Sequence, residues 1–142
     1  MPNILIVDDE PQVARSLGRV LRRAGFGVAL AESGAEALEA LGAFQADIVI
    51  SDFRMPGMDG VELLGAVKRS WPRALRIILS GFADLDSVGS SFDKGDICRF
   101  ITKPWDDEEL VVLLRRLLAE PDAAEPDAVD VSTNGVDSGE RS

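Results

Sequence analysis

Histidine is absent from all 142 residues. That removes the side chain that titrates nearest neutrality, and with it imidazole acid–base catalysis, His-ligated zinc and any role as a phosphohistidine carrier. There is a single cysteine, Cys98, so no internal disulfide can form. Lying in a predicted strand, it reads as a small buried hydrophobe, and nothing asks for an oxidising compartment. No apolar run reaches the roughly 18 residues that span a bilayer, and Met1-Pro2-Asn3 enters a strand with no basic segment ahead of it. Positive charge is scarce too: 15 Lys and Arg stand against 25 Asp and Glu, a net charge of −10. A phosphate backbone repels such a chain, and no basic stripe offsets it, which argues against direct nucleic-acid binding. The expectation is a cytoplasmic protein with no membrane attachment.

What the chain does have is enough apolar material for a core, 46% of its residues, at a length that suits one domain. Its most informative stretch is DIVISDFRMPGMDG, Asp47 to Gly60. The β-branched run Ile48, Val49, Ile50 leads to Asp52, and Pro56-Gly57 behind it marks a loop, so a buried strand delivers a carboxylate to a turn. Taken alone, Asp52 reads equally as a turn or capping aspartate.

The same unit recurs. Residues 4–7 (ILIV) stop at Asp8, Asp9 and Glu10, and Pro11 opens a helix with apolar positions at Val13, Leu17, Val20, Leu21 and Ala24. Val28 to Ala31 is a second strand; Ser33 with Glu36 then forms a capping-box pattern for a helix running through Leu38 and Leu41. Asp59 and Glu62 repeat that pattern ahead of Val61, Leu64 and Val67, and Trp71-Pro72 ends the helix. Leu75 to Leu79 is a fourth strand ending at Ser80-Gly81. The fourth helix falls near Asp84 to Phe92, where Ser87, Gly89, Ser90 and Ser91 are poor helix formers, so a short, mobile element is expected. Ile97 to Thr102 is the fifth strand. Lys103-Pro104-Trp105 follows, and Asp106 with Glu109 caps a last helix whose buried face is Leu110, Leu113, Leu114, Leu117 and Leu118, with Trp105 and Leu110 placed as a hydrophobic staple.

Five strands alternating with five helices, joined by short connections, predict a doubly wound α/β domain with a five-stranded parallel sheet. The pattern stops near Ala119. AEPDA repeats at 119–123 and 124–128, and residues 120–142 hold seven acids against Arg141, a net −6 that leaves −4 for the body. The division expected is a domain over 1–119 and an acidic disordered tail over 120–142.

In a parallel sheet the residues following each strand share one edge, which is where such folds bind ligands. Asp8 and Asp9, Asp52, Ser80, and Thr102 with Lys103 therefore converge. Each is ambiguous alone: the acids could cap the first helix, Ser80 could serve a turn and Lys103 could be solvated. Two carboxylates about 4 Å apart repel by roughly 4 kcal/mol at an effective dielectric near 20, so three of them ask for a cation or for raised pKa values. Oxygen-only ligands with neither His nor Cys suit magnesium. A carboxylate beside magnesium and a lysine is equipped to attack a phosphoryl group and form an aspartyl phosphate.

VDDE at 7–10, DFRMPGMDG at 52–60, LSG at 79–81 and FITKPW at 100–105, in this order and spacing, resemble the receiver domain of bacterial two-component response regulators over Asn3 to about Leu118. The resemblance implies a flavodoxin-like sheet of strand order 2-1-3-4-5. It makes Asp52 the phosphoacceptor for a sensor histidine kinase or phosphotransfer protein. It implies magnesium held by Asp9, Asp52 and the Arg54 backbone carbonyl, with Asp8 acting through water. Lys103 contacts the phosphoryl group; Ser80 moves toward it after phosphorylation, and Phe100 then turns inward. The Lys103-Pro104 bond is expected to be cis. Arg54 and Phe82 stand where receivers tune dephosphorylation, and their bulk predicts a long phosphoryl lifetime.

The resemblance further implies a signalling domain rather than a turnover enzyme, acting on a downstream protein partner or output domain. A homodimer through the fourth helix, fifth strand and fifth helix is one form that output can take. The 24 residues after the last helix leave no room for an output domain, so the chain is expected to be a single-domain regulator or a receiver excised from a longer protein; KPWDDEEL resembles receivers of multidomain regulators. Two alternatives stand beside this reading. One is a magnesium-dependent aspartyl-phosphate phosphatase, although Arg54 occupies the place where the haloacid dehalogenase pattern wants a second aspartate. The other is a binding-only pseudo-receiver.

Overall fold

The computed structural model describes residues 2–81, 84, 89 and 95–119. Five strands alternate with helices: β1 (Asn3–Val7), α1 (Pro11–Arg23), β2 (Gly27–Ala31), α2 (Gly34–Leu41), β3 (Ile48–Asp52), α3 (Gly60–Ser70), β4 (Leu75–Ser80), β5 (Arg99–Thr102) and α4 (Asp107–Ala119). The strands form one parallel sheet in the order β2-β1-β3-β4-β5. This is the doubly wound, flavodoxin-like arrangement expected. Four helices lie among the described residues. The helix expected near Asp84 to Phe92 and the acidic tail of 120–142 fall mostly or wholly outside them.

The core divides along the two faces of the sheet because strand side chains alternate. Ile4, Ile6, Ile48, Ile50, Ile77 and Leu79 point into one layer, covered by Leu17 and Leu21 of α1 and Leu113, Leu114 and Leu117 of α4. Leu5, Val7, Val49 and Ile78 point into the other, against Ala37 and Leu41 of α2 and Leu63, Leu64 and Val67 of α3. Ile4, Leu5, Ile48, Val49, Ile50, Ile77 and Ile78 are wholly inaccessible. Full burial of such a side chain contributes roughly 1.5–3 kcal/mol, so these short runs carry much of the stability.

Helix starts follow the caps. Asp59 and Glu62 form the complete reciprocal box ahead of α3, at 2.8 and 3.0 Å. At α2 only half of the expected box forms: Ser33 Oγ accepts from the Glu36 N–H at 3.1 Å, but the Glu36 carboxylate accepts from the N–H of Glu32 instead of Ser33. Asp106 accepts from the Glu109 N–H at 2.9 Å ahead of α4, and Trp105 packs, partly buried, against the core layer that contains Leu110.

Three details differ from the sequence reading. The buried stripe of α1 is Ala14, Leu17, Gly18 and Leu21, while Val13 and Val20 are half-buried. Small residues let the helix lie close on β2: a methyl group placed at Gly18 would already touch Leu30 and Val28 at 3.4 Å. Leu38 and Leu118, expected on buried faces, are half-buried. β5 begins at Arg99, so Cys98 is buried just ahead of the strand instead of in it. The Cys98 N–H still donates to the Arg76 carbonyl of β4 at 2.7 Å, and the Arg76 guanidinium, in a residue 8% exposed, takes up the carbonyls of Pro72, Ala74, Gly95 and Asp96.

Gly60, the first residue of α3, lies where a Cβ would run into the Asp52 carbonyl oxygen and Ile78 Cδ1. Its N–H donates to the Phe53 carbonyl at 2.9 Å, closing the loop that follows β3. Gly60→Ala should therefore cost about 1–3 kcal/mol through overpacking. Urea unfolding monitored by circular dichroism checks this, and an unchanged midpoint would show that the β3 loop yields freely.

Candidate functional site

The parallel register brings the ends of β1, β3, β4 and β5 to one edge, and the loops there carry polar groups. Asp52, the last residue of β3, pairs with Leu79 in β4 and is 6% exposed. Lys103, directly after β5, donates its Nζ to Asp52 Oδ1. Its backbone N–H donates to the Ser80 carbonyl at 2.9 Å, and the Lys103-Pro104 peptide is cis, as expected. These bonds tie the lysine loop to the end of β4.

At the end of β1, the Asp8 N–H donates to the Ala31 carbonyl at 3.0 Å, which draws its side chain into the edge, where it is 1% exposed. Asp8 Oδ1 accepts from the Glu10 N–H at 2.9 Å, a turn bond ahead of α1 and not a helix cap, since no side chain caps α1 at Glu10. Asp8 Oδ2 has no hydrogen-bond partner among the described residues. Asp9 is exposed, and one oxygen from each of Asp8, Asp9 and Asp52 lies within 4.8 Å of the others.

Burial dominates the electrostatics. It pushes the Asp52 carboxyl above its usual range; the Lys103 hydrogen bond and charge pull it back, and Asp9 and Glu10 push it up further. Burial likewise raises Asp8 to about 6, opposed by the Glu10 N–H and Lys103 and reinforced by Asp52 and Asp9. One ammonium thus faces three carboxylates, one of which has an unpartnered buried oxygen. A hard divalent cation fits that donor set, being bound by oxygens and supplying the missing positive charge.

Ser80, 2% exposed at the end of β4, donates its hydroxyl to Asp84 Oδ2 at 2.8 Å. Asp84 Oδ1 in turn accepts from Arg54 Nη2 at 2.5 Å. Burial works to raise the Asp84 carboxyl, but its bonds to Arg54 and Ser80 hold it below the usual range. Asp84 was missed in the sequence, where it stands at the start of a weak helix pattern. Its only available signal was being an acid one helical turn beyond Ser80. Arg54 keeps its side chain 74% exposed and its guanidinium 6.0 Å from the Phe53 ring centre. Asp9, Asp52, Arg54, Ser80, Asp84 and Lys103 line one cleft of about 330 Å³.

Two expected residues are not among the described residues that line this cleft. Phe82 lies outside the described residues. Phe100 is 3% exposed and already packed in the core layer with Ile78 and Leu63, because an aromatic ring on the sheet face gains by burial. The ring is inward in this structure.

Comparison with known proteins identifies the family and matches the fold. The family model of the response regulator receiver domain matches residues 4–115. The chain is 38% identical over 116 residues to the DNA-binding transcriptional regulator NtrC of Escherichia coli K12, covering 82% of this chain and 24% of that protein. It is 34% identical over 113 residues to the hydrogenase transcriptional regulatory protein HoxA of Cupriavidus necator, covering 80% and 23%. The chain therefore spans about a quarter of the length of the curated relatives it matches. Among solved structures, the signal receiver domain of an HD domain-containing protein from Pseudomonas fluorescens Pf-5 superposes with a TM-score of 0.78 at 34% identity, covering 86% of this chain and 90% of that one. The chemotaxis response regulator CheY4 of Vibrio cholerae superposes with a TM-score of 0.74 at 27% identity, covering 82% and 98%.

The raised Asp8 pKa makes a signed prediction. Between the unfolded value of 3.8 and the folded value of about 6, the native state holds a proton that the unfolded state has released, so stability falls as pH rises through this window. In chelator at pH 7.5, Asp8→Asn should be more stable than the parent by up to about 3 kcal/mol. The gain should shrink steadily from pH 6 to pH 4, as chemical denaturation at each pH would show. A gain independent of pH would mean that packing, not charge, sets the effect.

Proposed function

The chain belongs to the response regulator receiver family of two-component systems, and from that premise we propose that it accepts a phosphoryl group on Asp52 from a sensor histidine kinase or phosphotransfer protein. The observation that carries this reading is the pairing of a buried strand-end carboxylate, Asp52, with the Lys103 ammonium beside two further carboxylates. Few arrangements give an aspartate both a counter-charge and a place for a metal.

Magnesium is the ion proposed. Asp9, Asp52 and the Arg54 backbone carbonyl would hold it directly and Asp8 through water; when bound, it neutralises charge on the phosphoryl oxygens. The protein's own part is positional. A carboxylate oxygen of Asp52 attacks phosphorus, forming the acyl phosphate O–P bond as the bond from phosphorus to the donor's histidine nitrogen breaks, and the departing imidazole takes up a proton. Lys103, held by the Ser80 carbonyl, bears on the phosphoryl oxygens. The Ser80 hydroxyl, on the next strand, then donates to the same group. Attack needs the ionised acid, and Lys103 opposes the burial that would keep Asp52 protonated.

The domain proposed covers residues 1–119, with 120–142 as an acidic tail, in a cytoplasmic protein. No helix among the described residues is long and apolar enough to cross a membrane. Output passes to a protein partner or an attached domain by a shift in population between conformations, with a homodimer as one such partner.

Acetyl phosphate with magnesium should label the protein to one phosphoryl group per chain, and Asp52→Asn should abolish the label. Many turnovers on simple phosphate esters would instead establish a phosphatase, and no label with magnesium bound would establish a pseudo-receiver. Loss of the phosphoryl group should be several-fold faster in an Arg54→Ala, Phe82→Ala double variant than in the parent, followed by decay of the label after removal of acetyl phosphate. An unchanged or slower decay would show that these two side chains do not shield the acyl phosphate.

A further inference from the structure

Resting on the acceptor reading above, we propose that Asp84 is a positioning residue of the phosphorylation site: it holds the Ser80 hydroxyl in reserve, and it sets how readily that hydroxyl is released by sharing its carboxylate with Arg54. The two bonds use the two oxygens of one buried side chain, Oδ2 to Ser80 at 2.8 Å and Oδ1 to Arg54 at 2.5 Å. They link the residue two places beyond Asp52 to the last residue of the neighbouring strand.

The serine proton forces a choice. A hydroxyl has one hydrogen to donate. In this structure it goes to Asp84, with the Gly81 carbonyl a longer second acceptor at 3.3 Å. Donation to a phosphoryl oxygen on Asp52 requires that Asp84 be given up. An ionised carboxylate is a strong acceptor, and more so when buried. Asp84 is 5% exposed, so water does not readily replace the lost partner.

Arg54 sets how much is lost. Its guanidinium reaches Asp84 from the solvent side, 74% exposed against 7% for the Asp84 side chain. With Arg54 in place, Asp84 keeps one charged donor after Ser80 leaves. Without Arg54, Ser80 is the one side-chain donor left to Asp84 in the bonds seen here, and its hold on the hydroxyl tightens. Arg54 thereby acts on the site through its side chain as well as through its backbone.

The test is beryllofluoride affinity in the presence of magnesium, measured on the full chain by Trp105 fluorescence or calorimetry, with Asp52→Asn as the non-binding control. Asp84→Asn should bind about tenfold more tightly than the parent, the size expected for releasing one charge-assisted bond. Arg54→Gln, an exposed substitution that leaves the fold intact even where Asp84→Asn does not, should bind several-fold more weakly. Both effects should vanish in a Ser80→Ala background, because each acts through the hydroxyl. Effects of the same size with and without Ser80, or weaker binding by Asp84→Asn, would overturn the proposal while leaving Asp52 as acceptor. Failure of the parent to bind removes the acceptor reading and this proposal together.

Discussion

Negative charge confined at the edge of an apolar sheet is the constraint around which the rest of this molecule is arranged. Asp52 and Asp8 are almost wholly withdrawn from water, with Asp9 beside them. A buried carboxylate costs free energy unless it is paired, and here a single ammonium, Lys103, meets one oxygen of Asp52. Asp8 Oδ1 takes the Glu10 N–H and its other oxygen has no partner among the described residues, and burial outweighs these bonds and lifts both acids. The site is thus short of positive charge, which a divalent cation would supply.

Such a site needs a rigid support, and the sheet supplies it. β1 and β3 are buried on both faces, and their apolar residues are almost wholly inaccessible, so the backbone positions of Asp8 and Asp52 are fixed by layers that cannot shift without opening the core. Gly60 sits against the Asp52 carbonyl on one side, and the Ser80 carbonyl takes the Lys103 N–H on the other. The strain of holding charge out of water is therefore borne by elements far better packed than the site itself.

How much of this was legible follows from which physics each feature uses. Short β-branched runs ending in polar residues announced the strands, and the Asp59–Glu62 box announced α3, because those signals are local. The converging acids, Ser80 and Lys103 were legible through one rule of parallel sheets, without any contact being known. Features resting on small residues or long-range bonds were not. Counting large apolar residues put Val13 and Val20 on the buried face of α1, whereas Ala14 and Gly18 lie there because close approach to β2 rewards absence of bulk. Arg76 was read only as part of the strand Leu75 to Leu79, and its four carbonyl partners come from segments on either side of it in sequence. Asp84 was hidden in the same way, since its meaning lies in partners 4 and 30 residues away.

The contrast between Lys103 and Ser80 carries the argument one step further. Both follow or end a strand at the same edge, and both are available to a phosphoryl group. Lys103 already rests on Asp52, so a phosphoryl group arriving there finds its counter-charge in place and asks for little rearrangement. Ser80 rests on Asp84, in a segment outside the sheet, and must exchange one acceptor for another. In the function proposed, chemistry falls to the residue that is preorganised, and reporting to the one that has to change partners. A domain that only needed to hold a phosphoryl group would gain by having both in place. Keeping one of them engaged elsewhere gives that residue two acceptors to choose between, and a population shift needs such an alternative.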